Sequence, residues 1–333
     1  MAKRSKRYRN PNQRLNKWGY IFIIPFIVTF LIFSLYPMIS SIAMSFTNDN
    51  GTTEIQHFHI FSNYLLIFGQ KDFWHTYLNT FIIFTMNFIP QLVSALFFAV
   101  LFTSKRVRMK GKGFFQFVYF LPNILTATSV SALFIFLFGF YGADDVKHYG
   151  GPIYEWLVML GMNPEIHLLE NPWTTRIVIA FIQFWMWFGN SMIVYIAGIK
   201  GISSEIYEAA DLDGASPGMI FFNITLPILK PIMLYSLITS LIGGLQMFDI
   251  PYMIQGNVID GTIFQGLSGT KTITIYIYEF MRNNFDYGIA SAASVVLFGF
   301  SLILSALMYF LFFKEKNHEK RVWRKIKSYE QDQ

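Results

Sequence analysis

Cysteine is absent from all 333 residues, which excludes disulfides, thiolate nucleophiles and cysteine metal ligands. Charge is also scarce: Asp, Glu, Lys and Arg make up 14% of the chain, against about a quarter in an ordinary soluble domain. Histidine occurs six times (His57, His59, His75, His148, His167 and His318), scattered apart from one His-x-His pair at 57 and 59. Such a pair recurs too readily by chance to carry metal binding, so no metal and no catalytic constellation is expected. No Gly-x-x-x-x-Gly-Lys-Ser/Thr phosphate loop occurs either, so the chain is expected to bind no ATP of its own. Internal repeats of fixed period and low-complexity segments are lacking too.

What fills the space is apolar. The chain is 53% hydrophobic, and Phe alone supplies 37 positions. Six segments contain no Asp, Glu, Lys or Arg: 18–48, 73–104, 113–143, 177–199, 231–248 and 287–313. Most exceed the roughly 20 residues a helix needs to cross the hydrocarbon core. The fifth is interrupted by Asp249, but apolar sequence resumes through Ile254. A soluble alternative would need six long helices with almost no polar outer face. The reading is an all-α polytopic membrane protein with six spans, at about 18–44, 77–103, 114–140, 174–199, 230–254 and 287–313. The first apolar stretch is about twice a signal-peptide core and five more follow, so it is expected to stay as a span.

Formal charge is +6, a value that first suggests nucleic acid. Its distribution points elsewhere. Seven basic residues and no acid precede the first span, five fill KRVRMKGK at 105–112, and seven follow Phe313. The opposite loops (49–72, 141–176 and 255–286) hold five basic residues and eleven acids. This bias predicts cytoplasmic termini, with basic tails over 1–17 and 314–333 that set topology and meet anionic lipid. In the loop 141–173, GPIYEWLVMLGM at 151–162 has the spacing of a short amphipathic helix on the outer interface. Asn171 before Pro172 predicts the capped start of the fourth span.

Between the fourth and fifth spans lies a polar insert, EIYEAADLDGASPGMIFFNITLPILKP at 205–231. Helix formers dominate its first part, Ser203 or Ser204 can cap it, and Glu205 suits the positive end of the dipole. Gly214 can end the helix through positive φ, and Ser216 with Pro217 can start another turn. Ala209 and Ala210 are small enough to let a second backbone approach, with Glu208 and Asp211 at the edge. Physically this is either a docking helix or an interfacial helix that returns the chain to the membrane.

The stretch EAA, three residues, Gly214, nine residues, then Ile224-x-Leu226-Pro227 resembles the signature of permease subunits of binding-protein-dependent ABC importers. The fuller form resembles the sugar and oligosaccharide branch, the maltose-type and lactose/arabinose-type permeases. Further matches include YFLPNILTATSV at 119–130, FIQFWMWFGNSMIVYIAGI at 181–199, FDIPYMI at 248–254 and YIYEFMRNNFDYGIASAASVVLF at 276–298. The resemblance implies the transmembrane domain of a type I ABC importer, with a coupling-helix loop at about 200–229. Glu208, Ala209, Ala210, Asp211 and Gly214, followed by Pro227, would form the coupling helix and its hinge, docked in a cytoplasmic ATPase. It further implies two ATPase subunits carrying ATP and Mg²⁺, a second permease subunit and an external solute-binding protein. Relatives carry Thr-x-Gly-Gly-Pro after the FD pair, where this chain has IQGNVIDGT at 254–262.

For a solute pathway, Gln246 and Asp249 are three apart in the fifth span and could share one helical face. An ionisable group at that depth is a functional candidate, or else a structural hydrogen-bond partner. Gln183, Trp187 and Asn190 share a face of the fourth span; they could meet solute, pack, or bond a neighbouring helix. An ion-coupled secondary transporter would need inverted repeats and a cation site, and neither is visible. An intramembrane enzyme would need paired acids, a histidine cluster or a serine constellation, which Asp249 alone does not supply. Glycerol-3-phosphate permeases share the layout, but no basic residue lies deep in a span, which favours a neutral sugar.

Overall fold

The computed structural model describes residues 12–48, 61–104, 107, 109–141, 149–255 and 270–331. His57, His59 and His148, and Gly256 with the rest of the loop to 262, lie outside the described residues. Helix dominates. The elements are α1 (Asn12–Phe30), α2 (Tyr36–Met44), α3 (Ser62–Gly69), α4 (Lys71–Thr103), α5 (Lys112–Ile124), α6 (Ala127–Phe138) and α7 (Pro152–Met159). They continue with α8 (Pro172–Lys200), α9 (Ser204–Leu212), α10 (Pro217–Ile220), α11 (Leu226–Leu245), α12 (Asp249–Gln255), α13 (Ile273–Arg282) and α14 (Tyr287–Gln331). Two short strands, β1 (Phe140–Tyr141) and β2 (Tyr149–Gly150), pair antiparallel ahead of α7.

Five stretches are long and apolar enough to cross a membrane: Gly19–Met44, Lys71–Thr103, Pro172–Lys200, Pro217–Ile254 and Tyr287–Phe312. A sixth stretch passes the same test only as the pair α5 and α6 taken together, bent by 95°. Sequence reading expects one continuous third span here. Instead Leu125 is extended, and Thr126 caps α6 by accepting from the Ser129 N–H at 3.3 Å. A hydroxyl that caps a new helix competes with continuing the old one. The last span likewise continues as helix through Gln331, across what reads in sequence as a separate tail.

Two helices widen into π turns, at Leu31–Leu35 and Phe221–Thr225. In each the next N–H reaches five residues back, Tyr36 to the Leu31 carbonyl and Leu226 to that of Phe221. A proline follows at once, Pro37 or Pro227. Proline has no N–H for the carbonyl four residues back, and its ring crowds that carbonyl. One extra residue in the turn relieves the conflict.

The described chain divides into two compact units. One contains residues up to Ile67 with Phe280–Val295. There Asn63, buried, donates to the Ser45 and Thr47 carbonyls at 2.9 and 2.8 Å. Gly288 lies so close that a Cβ would stand 2.3 Å from the Thr47 oxygen. The other unit contains Phe68–Glu279 and the chain from Val296 onward. Its core joins Ala95, Ala99 and Phe102 of α4 to Met192, Tyr195, Ile196 and Ile199 of α8, with Leu229 of α11. The alanines let α4 and α8 approach closely, which is how helices gain packing energy where lipid offers no hydrophobic contrast. Gly189 does the same for α5 and α8.

Candidate functional site

A cavity of about 480 Å³ opens among α4, α8 and α11 in the larger unit. From α8 come Gln183, Trp187, Asn190 and Ser191, one helical face as their spacing predicts. Trp187 leaves 47% of its surface exposed, so its indole is available for stacking. Tyr235, Thr239, Ser240 and Gly243 of α11 form the opposing wall.

Gln246 and Asp249 both line this cavity, but not from one helical face. The expected continuous span is broken between them: α11 ends at Leu245, Gln246 leaves helical geometry, and α12 begins at Asp249. Pro251 supplies the reason. It cannot donate to the Met247 carbonyl, four residues earlier, and would crowd it in a regular helix. That carbonyl accepts instead from the hydroxyls of Thr272, at 3.2 Å, and Thr274. The break thus turns two polar side chains into the cavity while the freed backbone is satisfied from outside the span.

Sequence reading missed the contribution of α4. Asn87 and Gln91 are each 5% exposed and line the cavity. Gln91 donates to Ser191 Oγ at 3.0 Å and Ser240 Oγ at 3.2 Å, so one amide ties α4 to α8 and α11. Two amides four apart, in the charge-free stretch that follows Asp72, are the signal that could have found them.

Segment 270–279 fastens the α12 side of this site. Lys271 Nζ pairs with Asp72 at 3.1 Å and with Glu279, and lies 5.2 Å over the Tyr276 ring. Thr80 Oγ1 accepts from the Ile273 N–H at 2.9 Å, and Asn79 Nδ2 donates to the Lys271 carbonyl at 3.3 Å. Asn79 Oδ1 accepts from Arg176 at 2.6 Å, bringing in the start of α8. Burial, with the Asp72 carboxylate nearby, pushes the Tyr276 phenol well up. It stays a donor to Gln70 Oε1 at 2.6 Å.

At the opposite end of α8 stands α9. Ser203 caps it, accepting from the Glu205 N–H at 3.3 Å. Gly214 ends it at φ +76°, with Ala215 N–H bonded to Ala210 O at 3.0 Å and Gly214 N–H to Asp211 O at 3.1 Å. This is the reciprocal pair of a Schellman stop. Ser216 then caps α10 with Pro217 at its first position. Glu208, Ala209 and Asp211 are exposed and Ala210 is half-buried. Leu212 is 89% exposed, an apolar side chain with no cover. Pro227 is exposed in the first turn of α11. Among the described residues, no three His, Cys, Asp or Glu side chains converge as a metal site requires.

Comparison with known proteins adds an independent line. Residues 91–316 match the family described as binding-protein-dependent transport system inner membrane component. The chain is 30% identical over 307 residues to the lactose transport system permease protein LacF of Rhizobium radiobacter, covering 92% of this chain and 95% of that protein. It is 30% identical to the arabinooligosaccharides transport system permease protein AraP of Bacillus subtilis, over 86% of each. In fold it matches a chain of a bacterial ABC transporter involved in the import of the acidic polysaccharide alginate, with a TM-score of 0.70 and 21% identity. That match covers 91% of this chain and 97% of the other.

Proposed function

Because the chain belongs to the family of binding-protein-dependent transport system inner membrane components, we propose that it passes a neutral sugar or oligosaccharide through the membrane, driven by ATP hydrolysed on a separate subunit. Within that family it is a multi-pass, non-catalytic permease subunit with the type I importer fold. The cavity carries the sugar reading. Amide, hydroxyl and indole groups wall it, and Asp249 is the one charged side chain among its described lining residues. Sugars are held by hydrogen bonds to their hydroxyls and by stacking on their apolar faces, which these groups supply. A phosphorylated or acidic solute would call for Lys or Arg, and the described lining residues include neither. The lactose and arabinooligosaccharide permeases among its relatives support the same class.

The family supports the partners, and the exposed α9 segment suits one of them. The α9 segment, with Glu208, Ala209, Ala210 and Asp211 ended by Gly214, docks in a cleft of a cytoplasmic ATPase, which carries ATP and Mg²⁺. A second six-span permease completes the pathway, two ATPases drive it, and an external binding protein delivers the solute. The complex sits in the plasma membrane of a bacterium or archaeon.

Purification in mild detergent after light crosslinking, with co-purifying proteins identified by mass spectrometry, tests this. An ATPase and a second permease should accompany the parent chain, and the ATPase should be lost from a Glu208→Ala, Gly214→Pro variant. A homogeneous chain without an ATPase under every condition would refute the proposal.

A further inference from the structure

A push on α9 reaches α8 directly through residues 201–203 and has two further routes to α11. One is the backbone, through Asp213–Ser216. That link contains Gly214 in the left-handed region, with nothing within 4 Å of where its Cβ would stand. Such a link bends before it transmits force. The second route is a side chain. The Tyr207 hydroxyl lies 3.1 Å from Thr225 Oγ1, across 18 residues of sequence and past the glycine. Thr225 is 5% exposed and is the last residue of the π turn that feeds α11.

One turn beyond, Leu229 and Ile232 of α11 close on Gly198 of α8, where a Cβ would fall 2.5 and 2.6 Å from their Cδ1 atoms. Tyr207, Thr225, Leu229 and Gly198 therefore close a ring through α9, α11 and α8. The same α8 and α11 carry the opposing cavity walls.

We propose that the Tyr207–Thr225 hydrogen bond is a strut that bypasses the Gly214 hinge and moves α11 together with the coupling helix. Tyr207 and Thr225 are positioning residues: they touch neither solute nor nucleotide, and they make the handle stiff. The inference rests on the permease reading above. It further explains why a helix with the exposed face needed for docking holds one aromatic half-buried. A bond made only to satisfy Thr225 would predict a stability effect and no change in coupling.

The test uses the intact transporter, purified through this chain and placed in nanodiscs. Because the chain has no cysteine, Thr239→Cys introduces its single thiol, on the cavity wall. Labelling of that thiol by a membrane-impermeant maleimide is followed by mass spectrometry, with and without ATP. In the otherwise unchanged complex, ATP should alter the labelling rate. Tyr207→Phe and Thr225→Val should each shrink that response about threefold to tenfold, the effect of one net hydrogen bond, while ATP hydrolysis continues. The double variant should be no worse than either single one, and Thr225→Ser should keep the parental response. Parental responses in Tyr207→Phe and Thr225→Val would overturn the strut. An equal loss in Thr225→Ser would do so too, since shape and not the hydroxyl would then matter. Loss of the ATPase from the variants alone would assign Tyr207 to docking and end the proposal. An ATPase absent from the parent complex would sink the permease reading, and the strut with it.

Discussion

Gly189 and Gly243 permit a matched experiment, because the same Gly→Ala change meets opposite surroundings. A methyl at 189 would stand 2.0 Å from the Tyr119 carbonyl oxygen and 2.7 Å from its carbon. That is more than 1 Å inside the roughly 3.3 Å at which C···O contacts begin. Both obstacles are backbone, so α5 must move off α8. Overpacking of this kind costs about 1–3 kcal/mol, and a backbone clash belongs at the upper end. Replacing Gly by Ala in a helix returns about 1 kcal/mol, leaving a net loss of about 2 kcal/mol. At 243, a lining residue of the cavity, nothing lies within 4 Å of the added atom. Only the propensity gain remains, so Gly243→Ala should be neutral to about 1 kcal/mol stabilising. The two variants should differ by about 3 kcal/mol, a difference in which intrinsic helix propensity cancels. Unfolding in detergent against increasing SDS, followed by Trp fluorescence, measures it. Equal midpoints, or a Gly189→Ala protein as stable as the parent, would refute the close-approach reasoning.

Removing the α4 amide with Gln91→Leu leaves the Ser191 and Ser240 hydroxyls without its bonds. It should cost about 1–3 kcal/mol and slow sugar uptake while the ATPase still co-purifies; parental uptake would count against a wall-positioning role. Lys271→Met leaves Asp72 and Glu279 facing each other without their cation. Asp72 is about half exposed, so the loss should be only about 1 kcal/mol. Faster hydrogen exchange over 270–282, reduced by added salt, would show it, and unchanged exchange would mean the pair holds nothing.

Much of this architecture is legible in the sequence. Charge-free stretches longer than a bilayer crossing predict α4, α8 and the apolar part of α14, because in lipid the backbone has no other way to satisfy itself. Helix starts and stops are legible too: Asn171, Ser203 and Ser216 accept the N–H bonds their positions predict, and Gly214 takes positive φ. What sequence did not show is in part a local competition between helix starts and in part a dependence on partners far along the chain. Pro122 is visible, yet the 95° bend comes after it, where Thr126 starts a new helix. Pro251 is visible, yet its break is tolerable only because Thr272 and Thr274 serve the Met247 carbonyl. Gln91, four residues after Asn87, has no visible partner in sequence until α8 and α11 bring their serines to it.

The π turn at Phe221–Thr225 has a consequence for how the chain tolerates changes of length. A π turn holds one residue more than the α-helix on either side requires. Deleting one residue inside it would keep the bearing of every side chain from Leu226 onward, but would return the Pro227 ring to the carbonyl it now avoids, at a cost of about 3 kcal/mol. The same deletion within 235–243 would rotate one part of the wall by about 100° against the other. Thr239 or Tyr235 would then leave the cavity. A single-residue deletion therefore costs stability at the foot of this helix and the solute pathway along its lining.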